Sequence, residues 1–188
     1  MSPGVLFDYE SRVISLHGHV CESDFTVLTD HLLRLDTESP KTITIYLTAQ
    51  GGNLIDALKI LDVFETLRSP TVGIALGLNE GAAVLILAAA KTRIMLPSAI
   101  LHSIKLWNLP NENTKIGLHS VTTISLRSLL HRRLKVIASR WTAAVQLAHE
   151  AEKEPRLISA GDALELGLID QIHSLTVDPV KARRSHVR

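Results

Sequence analysis

Two glycine-marked turns are where this sequence concentrates its chemistry. Gly51-Gly52 follows the alternating run Lys41–Thr48, and Gly77–Gly81 follows the run Thr71–Leu76; each opens onto a helical pattern. Backbone N–H groups at such a turn lack intrahelical partners, so either turn can hold an anion or a developing oxyanion. Glycine also simply permits a tight strand-to-helix turn, and spacing alone does not separate the two uses. Asn79 and Glu80 stand between the second pair of glycines. Glu80 is a candidate acid–base carboxylate beside an oxyanion-binding turn. Equally, Asn79 suits a helix cap and Glu80 the positive end of the helix dipole.

Other reactive residue types are sparse. His17 and His19 are two apart on an expected strand and share a face, but no third or fourth metal ligand accompanies them. No metal and no cofactor is expected. Ser98 and Ser103 flank His102, yet neither opens a helix beside a glycine turn, and no serine is placed to pair with Lys91 or Lys105. Cys21 is the only cysteine, which excludes an intrachain disulfide and fits a reducing, cytoplasmic setting.

The elements that must position these residues follow from periodicity. Arg12–Val20 and Lys41–Thr48 read as strands, the second alternating Ile43, Ile45 and Leu47 against Thr42, Thr44 and Tyr46. Between them, Ser23 or Asp24 is the expected cap of a helix with an apolar stripe at Leu28, Leu32, Leu33 and Leu35. Leu54, Leu58, Leu61 and Leu67 mark a second helix, ended by Ser69-Pro70. Thr71–Leu76 is a strand, Gly77–Gly81 a turn, and Ala82–Ala90 an apolar helix. Short extended pieces follow at Arg93–Leu96 and Ser98–Leu101, then a loop over Leu106–Gly117. A long helix is expected over Ser120–Glu152. Ser159 caps a short helix that Gly167 stops, and Leu168–Leu175 is a last strand. Strand, turn and helix repeating in this way predict βαβ units, a mainly parallel sheet and one domain over residues 1–188 with a basic tail from about 179.

Composition narrows the class. Hydrophobic residues at 46% and charged residues at 21% exclude a disordered chain. With 20 Lys and Arg against 19 Asp and Glu, the net charge of +1 gives no global attraction to nucleic acid or to an anionic membrane. The apolar run Gly81–Ala90 is too short to span a bilayer, and Met1–Glu10 lacks the pattern of a signal peptide. Neither nucleic acid nor membrane is an expected partner.

Several stretches resemble the Clp protease proteolytic subunit (ClpP) family. Thr44-Ile45-Tyr46-Leu47 leading into Gly51-Gly52 is similar to its strand and Gly-Gly turn, and Arg12–Val20 to its first strand. Leu96-Pro97 followed by His102 resembles the segment that delivers its catalytic histidine. Ser159-Ala160-Gly161-Asp162-Ala163-Leu164-Glu165-Leu166-Gly167-Leu168-Ile169-Asp170 resembles its signature near the C-terminus. The likeness runs from about Tyr9 to His173. It implies an α/β, ClpP/crotonase-like fold of repeated ββα units with a long handle helix.

Active members of that family are serine peptidases. The resemblance implies a nucleophilic serine opening a buried helix, a histidine base, an orienting aspartate, and an oxyanion hole made by the Gly-Gly turn and the N–H after the nucleophile. Carried onto this chain, the oxyanion positions are Gly51, Gly52 and Ala82, and the histidine is His102. The nucleophile position falls on Gly81, once a deletion of about two residues near Ala90-Lys91 is allowed. The acid position, four before Ser159-Ala160, falls on Pro155. No serine lies between Ser69 and Ser98, so a small alignment slip does not restore the nucleophile. Where the family has Ser-Pro before the glycines, this chain has Ala49-Gln50.

A chain without the nucleophile forms no acyl-enzyme, and losing that residue removes most of the rate enhancement of a triad. The expectation is a noncatalytic ring subunit, either a homo-oligomer or part of a mixed ring with an active ClpP-like subunit. The alternative is a hydrolase or crotonase-type acyl-processing enzyme that uses a relocated site at Glu80 and His102. On the long helix, Arg127, His131, Arg132, Arg133, Lys135 and Arg140 occur with no acid between Ser125 and Arg140, which argues against the usual stacking of two rings. Partnership with an ATP-dependent unfoldase is weakened, because few residues precede the first strand.

Overall fold

The computed structural model describes residues 4–52, 54–103 and 156–173. The expected long helix, Pro155 and the basic tail lie outside the described residues. The order of elements is β1 (Val5–Asp8), β2 (Val13–Val20), α1 (Glu22–Glu38), β3 (Ile43–Gly51), α2 (Leu54–Thr66), β4 (Thr71–Ala75), β5 (Leu78–Glu80), α3 (Ala82–Ala89), β6 (Thr92–Met95), β7 (Ile100–Ser103), β8 (Arg156–Ser159), α4 (Ala160–Glu165) and β9 (Gln171–Ile172). No helix among the described residues is long and apolar enough to cross a membrane.

The strands form two sheets. The larger runs β1-β2-β3-β4-β6-β9, parallel throughout except for β1, which joins β2 antiparallel at the edge. The smaller runs β5-β7-β8, with β5 parallel to β7 and β8 antiparallel to it. The alternation read from the sequence sets which face is covered. Ile14 and Leu16 of β2 and Ile43, Ile45, Leu47 and Ala49 of β3 are fully buried, while Thr44 and Tyr46 are half-exposed. Phe25, Leu28, Leu32 and Leu35 of α1 step by three and four residues into the same core. Leu33, expected on that stripe, is exposed because it sits one position off it. Helix α3 is apolar on every side, and its buried Ala82, Ala83, Leu85, Ile86 and Leu87 place it centrally.

Local chemistry corrects several boundaries. β2 starts at Val13 because Arg12 has φ 57°, and its guanidinium donates to the carbonyls of Ser39 and Lys41 at 2.8 and 2.9 Å. The cap of α1 is Cys21. Asp24 is the third helical residue and reaches back to accept the Cys21 N–H at 2.8 Å. α2 ends at Thr66, before Leu67. The expected turn over Gly77–Gly81 contains strand β5, and β1 and β8 are strands that periodicity did not reveal. The last strand keeps only Gln171–Ile172 among the described residues, since the Leu168 N–H turns back to the Ala163 carbonyl at 2.8 Å. Ser159 caps α4 as expected, accepting the Asp162 N–H at 3.2 Å.

Two polar ties hold the edges. The buried Arg93 of β6 donates to both oxygens of Asp170, at 3.0 Å from Nε and 2.6 Å from Nη2, and to the Gly167 carbonyl at 3.2 Å. This fork seats the C-terminal segment on the large sheet. At the other edge, the Tyr9 hydroxyl lies 2.7 Å from His31 Nδ1, and the Phe7 ring stacks on His31 with 3.7 Å between centroids.

Each tie has a measurable consequence. Asp170→Ala leaves the Arg93 guanidinium buried without its carboxylate, and is expected to lower unfolding stability by about 2–3 kcal/mol in urea titration. Burial lowers the pKa of His31 below its ordinary 6.5, an effect opposed by Asp30 and reinforced by Arg34. The unfolded chain therefore takes up a proton near pH 6.5 that the folded chain resists. Stability contributed by His31 is full above that pH and is lost as pH falls below it. The urea midpoint of the wild type is expected to drop more between neutral and mildly acidic pH than that of His31→Gln.

Candidate functional site

The two glycine turns meet. Gly51 ends β3 and Gly52 follows it, with φ of 83° and 81°, values that favour glycine. An ideal Cβ on Gly52 would lie 2.7 Å from Ala82 Cβ and 2.8 Å from Phe25 Cζ, so the turn lies directly on the first residue of α3. Gly81 is the residue between β5 and α3, with φ 63° and ψ −123°, a sharp strand-to-helix elbow. Gly51, Gly52, Gly81 and Ala82 are thus one local structure.

Gly81 is packed from the front. A Cβ there would sit 2.5 Å from the Gly51 carbonyl oxygen and 3.3 Å from its carbon. The obstacle is backbone, so a flexible side chain cannot swing away to make room. The Gly-Gly turn thus occupies the space that a side chain at Gly81 would need.

Glu80 and His102 come together on the smaller sheet. They face each other in the parallel β5–β7 register, and His102 Nδ1 lies 3.3 Å from Glu80 Oε2. Their side chains are 25% and 27% exposed, respectively. The other cross-strand neighbour of His102 is Leu157 of β8, 66% exposed. The opposite face of this sheet is buried through Asn79, Leu101 and Ile158.

Asn79 is not the helix cap that its position suggests. It is fully buried, its Oδ1 accepts the Ala49 N–H at 3.2 Å, and its Nδ2 donates to the Leu76 carbonyl at 2.8 Å. The β3–β4 ladder stops at Leu47 and Ala75, where the Leu76 N–H still reaches Leu47 at 2.7 Å. Beyond it the Ala49 N–H would be buried without a partner, and the amide of Asn79 supplies one.

His19 and Phe25 are site neighbours that sequence reasoning did not assign. The His19 ring lies over Gly51, with Cε1 2.7 Å and Nδ1 3.0 Å from the place of a Cβ there. The pairing of His19 with Gln50 across β2 and β3 is the signal that, with the register known, places it at this turn. His17 Nε2 is buried and has no hydrogen-bond partner among the described residues. Ser98 is exposed in a turn, and Ser103 ends β7; neither is at the elbow. Pro155, the expected acid position, falls outside the described residues, and no cluster of three His, Cys, Asp or Glu side chains able to hold a metal forms among those described.

The arrangement offers a histidine–carboxylate pair and a glycine elbow, but no nucleophile at the elbow. Gly81→Ser is expected to destabilise the fold by about 1–3 kcal/mol from the strained φ alone. The same variant is expected to stay unlabelled by a serine-reactive fluorophosphonate; urea titration and intact mass check the two outcomes.

Comparison with known proteins places this geometry in a family. A solved structure of a ClpP1 point mutant from Listeria monocytogenes aligns with a TM-score of 0.73 at 18% identity, covering 89% of this chain and 94% of that one. At that identity the likeness establishes the fold, a ClpP-like α/β architecture. The family model described as Clp protease matches residues 6–175, and the chain therefore belongs to the Clp protease family.

Proposed function

We propose that this chain is a noncatalytic subunit of a Clp-type peptidase assembly. It acts as a structural or regulatory member of a ring, built from its own copies or mixed with an active relative, in the cytoplasm. The observation that carries the reading is the elbow. Gly81, the position that the family's nucleophile would take, has no side chain, and the Gly51 carbonyl oxygen stands 2.5 Å from where a Cβ would be. An acyl-enzyme needs an oxygen or sulfur nucleophile at this point, so the covalent step has no starting atom. Pro155 at the acid position adds to the same reading, since its ring offers no carboxylate.

The retained fold supports the assembly half of the proposal. The double-sheet scaffold is in place, and its C-terminal segment is seated through Arg93 and Asp170. The competing reading, a relocated hydrolase or crotonase-type site, has the Glu80–His102 contact in its favour.

Labelling with a fluorophosphonate probe and intact mass separates the two. No adduct is expected under conditions where an active Clp peptidase subunit labels fully. Native mass of the chain, alone and mixed with that active subunit, is expected to show a ring containing it. One adduct per chain that disappears in His102→Ala overturns the noncatalytic reading, and a monomer under both conditions overturns the ring role.

A further inference from the structure

We infer that Glu80 is the positioning residue of His102, holding the neutral imidazole as its Nδ1–H tautomer and leaving the Nε2 lone pair free as a base. The inference takes from the proposed function only the location of His102 in the vacated site. It names the group that performs the orienting role which Pro155 does not.

The backbone enforces the pairing. Glu80 and His102 are opposite residues on adjacent parallel strands, so their side chains leave the same face about 5 Å apart. The strands cannot slip without unburying the other face, where Asn79, Leu101 and Ile158 are 0%, 1% and 6% exposed. Asn79 adds two hydrogen bonds that pin β5 next to Glu80 itself. The 3.3 Å contact is thus a product of register, not of one surface rotamer.

Hydrogen-bond chemistry then assigns the proton. A carboxylate accepts and does not donate, so the contact places the hydrogen on Nδ1. In a neutral ring the other nitrogen must carry the lone pair. On its far side, His102 meets Leu157, which has no polar atom to compete for Nδ1. The ligand chemistry that such a nitrogen recognises is a proton donor, such as a hydroxyl, a thiol or a peptide N–H, with an apolar group free to lie on Leu157.

The test reads the tautomer directly. The full chain is labelled with 15N-histidine, and long-range 1H–15N spectra are recorded at about pH 8, where an ordinary imidazole is neutral. His102 is identified among the nine histidines by the signals missing from His102→Gln. The wild type is expected to show Nδ1 as the proton-bearing nitrogen. Glu80→Ala is expected to move the proton to Nε2, and Glu80→Gln to keep it on Nδ1, because the amide oxygen still accepts. A wild type protonated on Nε2, or a Glu80→Ala spectrum unchanged from wild type, overturns the assignment. If Glu80→Ala does not fold, the wild type and Glu80→Gln decide, and Nε2–H in either is fatal to it. None of these outcomes depends on probe labelling or ring formation, so this inference and the proposed function fail separately.

Discussion

A buried amide, that of Asn79, joins the two sheets of this protein. Where β4 leaves β3, the chain must turn from the large sheet into the small one, and the buried N–H of Ala49 loses its ladder partner. Asn79 fills that gap from one strand away and ties the Leu76 carbonyl with its other end. An unpaired buried N–H costs roughly 1–3 kcal/mol, and an asparagine side chain is long enough and has both polarities to prevent it. The rest of the site depends on this joint. It fixes β5, which in turn fixes the placement of Glu80 opposite His102 and the point from which Gly81 enters α3.

The elbow shows how a single glycine lets two turns close on each other. Gly81 holds a backbone conformation that is costly for any residue with a side chain. Freed of a Cβ, the elbow lets the Gly51 carbonyl come within contact of it. The Gly-Gly turn therefore serves packing between β3 and α3. The missing side chain at Gly81 and the closure of the turn are one arrangement: each makes room for the other.

Much of the large sheet was legible in the sequence because burial and periodicity coincide there. Ile43, Ile45 and Leu47 alternate in the chain and are fully buried in the fold; Leu28, Leu32 and Leu35 keep helical spacing and share the core. The C-terminal helix was legible through Ser159 and Gly167, whose roles are local. The small sheet was not. β5 has three residues and β8 has four, too few for a period, and both exist through pairing with β7 across long stretches of chain. The glycines, Glu80 and His102 could be named from residue type and resemblance, but that Glu80 meets His102 follows from register. Asn79 was misread as a cap for the same reason: its partner, Ala49, is thirty residues away in sequence and visible only in three dimensions.

The fork between Arg93 and Asp170 has a temporal meaning as well as a structural one. Its two ends are 77 residues apart, so the contact closes one of the longest loops in the fold. Strands β1 to β4 and β6 find their neighbours within the first ninety-five residues, whereas β8 and β9 complete their sheets from beyond residue 155. A chain emerging from the ribosome therefore carries a large sheet with one unfilled edge and a buried-to-be guanidinium without its carboxylate until the C-terminal segment is made. Such a nascent chain is obliged to remain unfinished until Asp170 arrives to close it.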